Sequence, residues 1–402
     1  KEIIPKIILD SRKEKTIEIM VITYEGKFTA SAPSGKSKGS HEVPYYNKKG
    51  IERSLKLLNI FCKILKGKNF RLKRIDDLKI LVELIKRFEV KYGRFGGNVI
   101  YALETAFLKA GAKDNNRQFW ELINDDINSG VKPIIPMPVG NCIGGGLHTK
   151  KINGKRADFQ EFLLIPDRKK VKTFSRGVTI NLIAQRSAGK LLKSNKRNDE
   201  GAWATDKSNE EILDIMFKIS KKYNLRIGLD IAASAFYKGG YYNYKNKNLI
   251  RDKIDQVDYI ERMISKYGVY YTEDPLNEED FSGFRQLLEA TKSMKRLNPL
   301  IVGDDLTTTN MKLLRRAVAS NSINALIIKP NQIGSIIEVK NVVEFCKQNK
   351  ITMVFSHRSG ETMDDALADY CVGFGGHFIK TGIFGKERLI KLKRVMDIEK
   401  SL

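Results

Sequence analysis

The 402-residue sequence predicts an α/β architecture, an N-terminal α+β capping unit (a three-stranded meander plus helices) followed by a closed (β/α)₈ barrel. Three observations predict it. Short apolar runs of strand length recur through the C-terminal two-thirds, and helical patterns separate most of them, which is the signature of parallel βα units. Several of those runs end on a charged residue, at the place where barrel strands build their functional rim. Before them the order is different, strands first and helices after. Pro133, Pro136 and Pro138 cannot continue a helix and mark the passage, dividing the chain into residues 1–127 and 128–402.

In the first unit, residues 3–10, 16–23 and 27–32 read as strands, with Tyr24-Glu25-Gly26 as the turn between the second and third. Residues 33–42 are small and polar enough to fold over a ligand, and 51–66 and 76–112 carry helical periodicity. In the second unit the strand candidates are Phe162–Ile165, Arg226–Asp230, Val269–Glu273, Leu300–Asp304, Ala325–Lys329, Thr352–Ser356 and His377–Lys380. Ser208–Tyr223 and Met311–Ser320 are examples of the helices between them. Seven or eight such units suffice to close a barrel.

Composition bounds the function. Apolar content of 42% and charged content of 30% are those of a soluble globular chain, and no apolar run reaches membrane-spanning length. The N-terminus lacks a signal-peptide pattern, and Cys62, Cys142, Cys346 and Cys371 form no Cys-x-x-Cys pair. A reducing cytoplasmic setting is expected, and a zinc site is not. The net charge of +25 would attract anionic metabolites, nucleic acid or acidic membranes. The basic residues are dispersed and no nucleic-acid-binding signature accompanies them, so a lysine-rich solvated surface is favoured over a polyanion site.

The chemistry gathers at strand ends. Gly228-Leu-Asp230, Tyr271-Thr-Glu273 and Val302-Gly-Asp304 each finish on an acid. One such acid is ordinarily a helix cap. Three on one rim repel unless a cation neutralises them, and oxygen-only ligands favour Mg²⁺ over Zn²⁺. Lys329 follows the apolar run Ala325–Ile328, where desolvation is expected to lower its pKa toward that of a base. Arg358 and Ser359 read as a clamp for a phosphate or carboxylate, and Lys380 adds a second point charge. A metal, a base and cationic groups suit removal of a proton next to a carboxylate. Glu161 and Glu200 are candidates for a neutral acid that protonates a departing hydroxide. Taken singly each has a plainer reading: a lysine reaching solvent, a solvated Glu200, a surface His148.

Taken in order, the segments resemble the enolase family over essentially the whole chain. They are Ile8-Leu-Asp-Ser-Arg12, Pro33-Ser-Gly-x-Ser-x-Gly-x-His-Glu42, Gln160-Glu-Phe162, Asp199-Glu-Gly201 and Gly228-Leu-Asp-Ile-Ala-Ala-Ser234. Further on come Glu273-Asp-Pro275, Gly303-Asp-Asp-Leu306, Lys329-x-Asn-Gln-Ile-Gly334, Ser356-His-Arg-Ser-Gly-Glu-Thr362, Ile379-Lys-Thr-Gly382 and Glu387-Arg-Leu389. The resemblance implies Mg²⁺-dependent interconversion of 2-phosphoglycerate and phosphoenolpyruvate, with two ions in the substrate-bound state. It implies that Lys329 takes the C2 proton and that Glu200, supported by Glu161, assists loss of the 3-hydroxyl. Asp230, Glu273 and Asp304 would hold the first ion, and Ser37 would help bind the second. Arg358 and Ser359 would grip the phosphate, Lys380 would meet the carboxylate side, and His148 and His357 would line the pocket. A barrel that opens ββαα, and a homodimer or assembly of dimers, are implied as well.

Departures from the family pattern fall in loops: Ser34-Gly-Lys-Ser-Lys-Gly39, Gly144-Gly-Gly-Leu-His148, Asn198-Asp-Glu-Gly-Ala202, Ala235, and a shortened segment around Phe384-Gly385-Lys386. They motivate two alternatives, a binding or scaffold protein on the same fold and a related lyase acting on another phosphorylated or hydroxylated acid.

Overall fold

The computed structural model describes residues 2–36, 39–68, 70–129 and 131–402. The chain begins as an antiparallel meander of β1 (Glu2–Leu9), β2 (Lys15–Thr23) and β3 (Gly26–Ser31), with Thr23 opposite Gly26 at the second turn. Alternation along β2 buries Ile17, Ile19 and Val21 on one face. Helices α1 (Ile51–Leu65), α2 (Lys79–Tyr92), α3 (Gly97–Asp114) and α4 (Phe119–Asn128) follow, and α3 packs across β2 and β3. The single helical stretch expected over 76–112 is broken. Gly93 and Gly96 have φ of +101° and +102°, and a Cβ on Gly96 would lie 2.4 Å from the Tyr45 carbonyl oxygen. The chain turns there because only glycine fits.

The barrel opens with β4 (Met137–Gly144) and β5 (Glu161–Pro166), an antiparallel pair, then α5 (Phe174–Leu192), a two-residue β6 (Trp203–Ala204) alongside β4, and α6 (Asn209–Tyr223). β4 is a strand that proline-based reading had treated as a boundary. After β7 (Leu225–Asp230) comes a small meander of β8 (Tyr237–Lys238), β9 (Tyr241–Tyr244) and β10 (Leu249–Arg251). Regular alternation then runs α7 (Lys253–Tyr267), β11 (Val269–Glu273), α8 (Phe281–Thr291), β12 (Leu300–Gly303), α9 (Met311–Ala319) and β13 (Ala325–Ile328). It finishes with α10 (Pro330–Ile333), α11 (Ile336–Gln348), β14 (Thr352–Ser356), α12 (Ala366–Gly373), β15 (Phe378–Lys380) and α13 (Lys386–Ser401).

Pairing of β15 with β4 closes the ring, and β5 is antiparallel to both its neighbours. The helices start where their sequences offer caps. Ser208 and Glu211 form a capping box on α6, and the side chains of Thr173, Asp252, Asp280 and Asn310 accept from the first turns of α5, α7, α8 and α9. Inside the ring, Val139, Leu163, Ile165, Tyr271, Val302, Ile327 and Val354 form a separate apolar cluster, so the barrel is filled below its rim. The N-terminal unit roofs that rim: Ser34 pairs with Gly360, and Val43 N donates to the Gln332 carbonyl oxygen at 3.0 Å. All four cysteines are free.

Candidate active site

The rim is assembled by register. β7 ends on Asp230 and β11 on Glu273, which are direct partners across a parallel ladder, and β12 leads into Asp304. Because β5 runs the opposite way, its first residue, Glu161, also lies at this end, opposite Asp230. From the far side, β13 delivers Lys329, β14 delivers His357, Arg358 and Ser359, and β15 delivers Lys380. Asp230, Glu273, Asp304, His148, Glu161, Glu200, His357, Arg358, Ser359 and Lys380 are all buried. Ser37 lies outside the described residues.

Two ammonium groups face the acids. Lys380 Nζ lies 2.9 Å from an Asp230 oxygen, 2.8 and 2.9 Å from the two oxygens of Glu273, and 3.4 Å from Glu161. Lys329 Nζ is bonded to Asp304. Burial alone would depress Lys329, but Asp304, with Glu273 and Asp305 behind it, outweighs burial and raises its pKa above the ordinary value. The expected lowering is therefore corrected: a carboxylate partner in a desolvated site favours the ammonium form more than burial opposes it. Burial, and next the charge of Asp230, push the Glu273 carboxyl up to about 7.

The all-oxygen chemistry of these acids suits a hard divalent cation such as Mg²⁺, while among the described residues the oxygens of Asp230, Glu273 and Asp304 do not all come within 4.8 Å of one another. The donor set is carboxylate oxygen only, the acids are buried, and each already leans on a cation of the chain itself. Asp274, to which the sequence reading gave no role, holds the turn after β12 that carries Asp304. Its carboxylate accepts from the backbone N–H groups of Asp304 at 2.9 Å and Asp305 at 2.7 Å, and its φ of +41° is unusual for a residue with a side chain. Oxygens of Asp274, Asp304 and Asp305 lie within 4.8 Å of one another.

A second cluster comprises His148, Glu161 and Glu200, also within 4.8 Å of one another. Two adjacent buried carboxyls cannot both ionise. Burial, and next the charge of Glu200, hold Glu161 well above the usual range, so the two carboxyls share a proton as a pair. Glu200 is held well below its usual range. Burial opposes its ionisation, but His148 Nδ1 at 3.3 Å and His357 Nε2 at 3.9 Å oppose burial, and Asn141 Nδ2 donates to it at 3.1 Å. Burial depresses both histidines, and the charge of Glu200 pulls them the other way.

The clamp is in contact with the roof. Arg358 Nη2 donates to the two oxygens of Glu42 at 2.8 and 3.0 Å and to the Tyr45 hydroxyl at 2.7 Å. Ser359 Oγ accepts from Lys36 N at 2.7 Å and Arg12 Nη1 at 2.9 Å. Lys36 Nζ also reaches Asp199 Oδ2 at 2.8 Å, joining the roof to the Glu200 loop. Glu42 and Arg12 belong to matched segments, but only the fold shows what they hold. The cavity between these groups has a volume of about 30 Å³. A larger one, about 760 Å³, lies in the N-terminal unit beside α1 and α3, away from the acid cluster, and there burial pushes the Cys62 thiol up to about 12.

Comparison with known proteins agrees with this geometry. The family described as "Enolase, C-terminal TIM barrel domain" matches residues 132–402, and "Enolase, N-terminal domain" matches residues 1–123. The enolase of Picrophilus torridus is 35% identical over 98% of this chain and 97% of its own length. That of Thermoplasma acidophilum is 34% identical over 100% and 98%, and that of Ehrlichia ruminantium (strain Welgevonden) 32% over 98% and 94%. The chain belongs to the enolase family and is an enzyme of its carbon–oxygen lyase kind.

Proposed function

We propose that this member of the family dehydrates 2-phosphoglycerate to phosphoenolpyruvate, reversibly. The observation that carries the reading is the opposition on one buried rim of three metal-type acids, Asp230, Glu273 and Asp304, to two lysines, Lys329 and Lys380.

Lys329, whose Nζ lies at the acid cluster, takes the C2 proton. Bonded to Asp304 as an ammonium ion, it is the proton donor of the reverse reaction; neutralising Asp304 frees it as the base. Mg²⁺ held by Asp230, Glu273 and Asp304, with a second ion toward Ser37, would stabilise the charge that develops on the substrate carboxylate. Lys380 adds fixed positive charge on that side, and Arg358 and Ser359 bind the phosphate. The proton shared by Glu161 and Glu200 goes to the 3-hydroxyl as the C3–O bond breaks, so that water leaves. His148 and His357, both buried, line this side. Family likeness further supports division near residue 127, a homodimer or an assembly of dimers, and a cytoplasmic location.

The test is the rise in ultraviolet absorbance as phosphoenolpyruvate forms, with and without Mg²⁺. We expect turnover that chelation abolishes, and a fall of roughly 10²- to 10⁴-fold in Lys329→Ala. Turnover unaffected by that substitution would remove the role given to Lys329.

A further inference from the structure

We propose that Arg197 is the positioning residue for Glu200, riveting the Glu200 loop to the loop that follows Lys380. The inference rests on the proton-donor role proposed above for the Glu161–Glu200 pair.

The guanidinium of Arg197 is sandwiched between two rings. Its central carbon lies 3.8 Å from the ring centroid of Trp203 and 4.0 Å from that of Phe384. Trp203 lies three residues beyond Glu200, whereas Phe384 lies four residues beyond Lys380. One planar cation therefore ties together the two segments that bring an acid and an amine to opposite sides of the rim. Stacking on two faces leaves the edge of the plane for hydrogen bonds, and Nη1 uses it. It donates to the Gly201 carbonyl oxygen, the residue next to Glu200, and to Gln185 Oε1 at 3.3 Å.

Gln185, on α5, completes the seat. Its Nε2 donates to the carbonyl oxygens of Asn141 at 3.1 Å and Gly201 at 3.3 Å, and its own carbonyl accepts from Trp203 Nε1 at 2.6 Å. Asn141 in turn donates to the Glu200 carboxylate. The Glu200 side chain is thus held from β4 and the backbone just after it from Arg197, with α5 behind both. Clearances are small. A Cβ on Gly201, whose φ is +78°, would lie 2.8 Å from Phe384 Cβ, and one on Gly189 would lie 2.5 Å from the Trp203 ring. The sandwich cannot loosen without moving Gly201, and Gly201 carries Glu200 with it. Among the described residues Arg197 forms no ion pair with a carboxylate, so its plane and its hydrogen-bonding fork, rather than charge neutralisation, are what the site uses.

The reaction divides so that this role can be isolated. The C2 proton goes to Lys329; separately, the C3–O bond breaks and the proton of the carboxyl pair passes to the leaving oxygen, giving water. Arg197 acts on the second event alone. The experiment uses the full chain with Mg²⁺ and 2-phosphoglycerate, and follows both phosphoenolpyruvate formation and exchange of the C2 hydrogen with D₂O by NMR. In Arg197→Ala, kcat for phosphoenolpyruvate is expected to fall about 10- to 100-fold, with KM and C2 exchange held within about threefold. Arg197→Lys should behave like Arg197→Ala, because an ammonium keeps the charge but neither the plane nor the fork. Phe384→Leu, which removes one face of the sandwich, should shift the ratio of exchange to dehydration in the same direction by less.

Equal losses of exchange and dehydration, an unchanged ratio, or full rescue by lysine would each overturn the proposal while leaving the assigned reaction standing. A wild-type chain inert in both assays would instead remove the assigned reaction, and the proposal with it.

Discussion

Rim and roof of this site are both built from ion pairs, yet the pairs belong to different physical regimes. On the rim, Lys380 and Glu273 retain 4% and 0% of their side-chain exposure, and strand register sets their positions. Where the roof meets the Glu200 loop, Lys36 and Asp199 retain 44% and 32%, and both lie in loops. Water and salt screen the second pair and scarcely reach the first. Breaking a buried pair leaves an uncompensated charge, whereas breaking an exposed one costs about 0–1 kcal/mol. Rigid chemistry and loose access therefore come from the same residue types at different depth. Arg358 and Glu42, at 2% and 4%, are where the roof is locked to the rim.

Three substitutions probe this contrast, beginning at the deepest group. Glu273→Gln removes a carboxylate from the rim and should lower phosphoenolpyruvate formation by at least roughly 100-fold. It should also abolish any rise in Tm on adding Mg²⁺, since stabilisation by a bound ion requires its ligands. A variant that keeps both would mean that the acids do not act together.

Glu104 tests a buried group at the joint between the two units. From α3 it accepts from Ile336 N at 2.6 Å at the start of α11, and burial pushes its carboxyl from the ordinary 4.5 up to about 8. Between those values the unfolded chain releases this proton while the folded chain keeps it, so stability falls as pH rises from about 4.5 to 8. Glu104→Gln keeps an acceptor but cannot ionise. Denaturant unfolding across that window should show the variant losing less stability than wild type, by a difference on the order of 1–3 kcal/mol. Parallel pH profiles would show that Glu104 ionises freely in the fold.

The smallest effect is expected on the roof. Lys36→Ala should change KM by only about two- to fivefold, with kcat preserved and the difference fading as salt rises. A large, salt-insensitive loss of kcat would place Lys36 among the rim groups instead.

Much of the rim was legible because buried parallel strands read as unbroken apolar runs and the first polar residue after each marks the mouth. Asp230, Glu273, Asp304, Lys329 and Lys380 all stand out in this way. Less visible was β4, whose Pro138 imitates a boundary although its missing N–H is tolerated in the ladder. Gly93 and Gly96 did carry a local signal for the break before α3, hidden under an otherwise helical period. Pairings across long sequence separations left no local trace. Arg358 meets Glu42 and Arg197 meets Phe384 only once the barrel has closed, and the excess stabilisation of the Lys329 ammonium depends on having Asp304 beside it.

Lys380 also bears on how the ring of strands closes. An inward-pointing ring of acids would ordinarily resist closing until something neutralised it. Here the last strand of the ring carries its own counter-charge: Lys380 meets Asp230, Glu273 and Glu161 and offsets the repulsion that closing the ring would otherwise have to overcome.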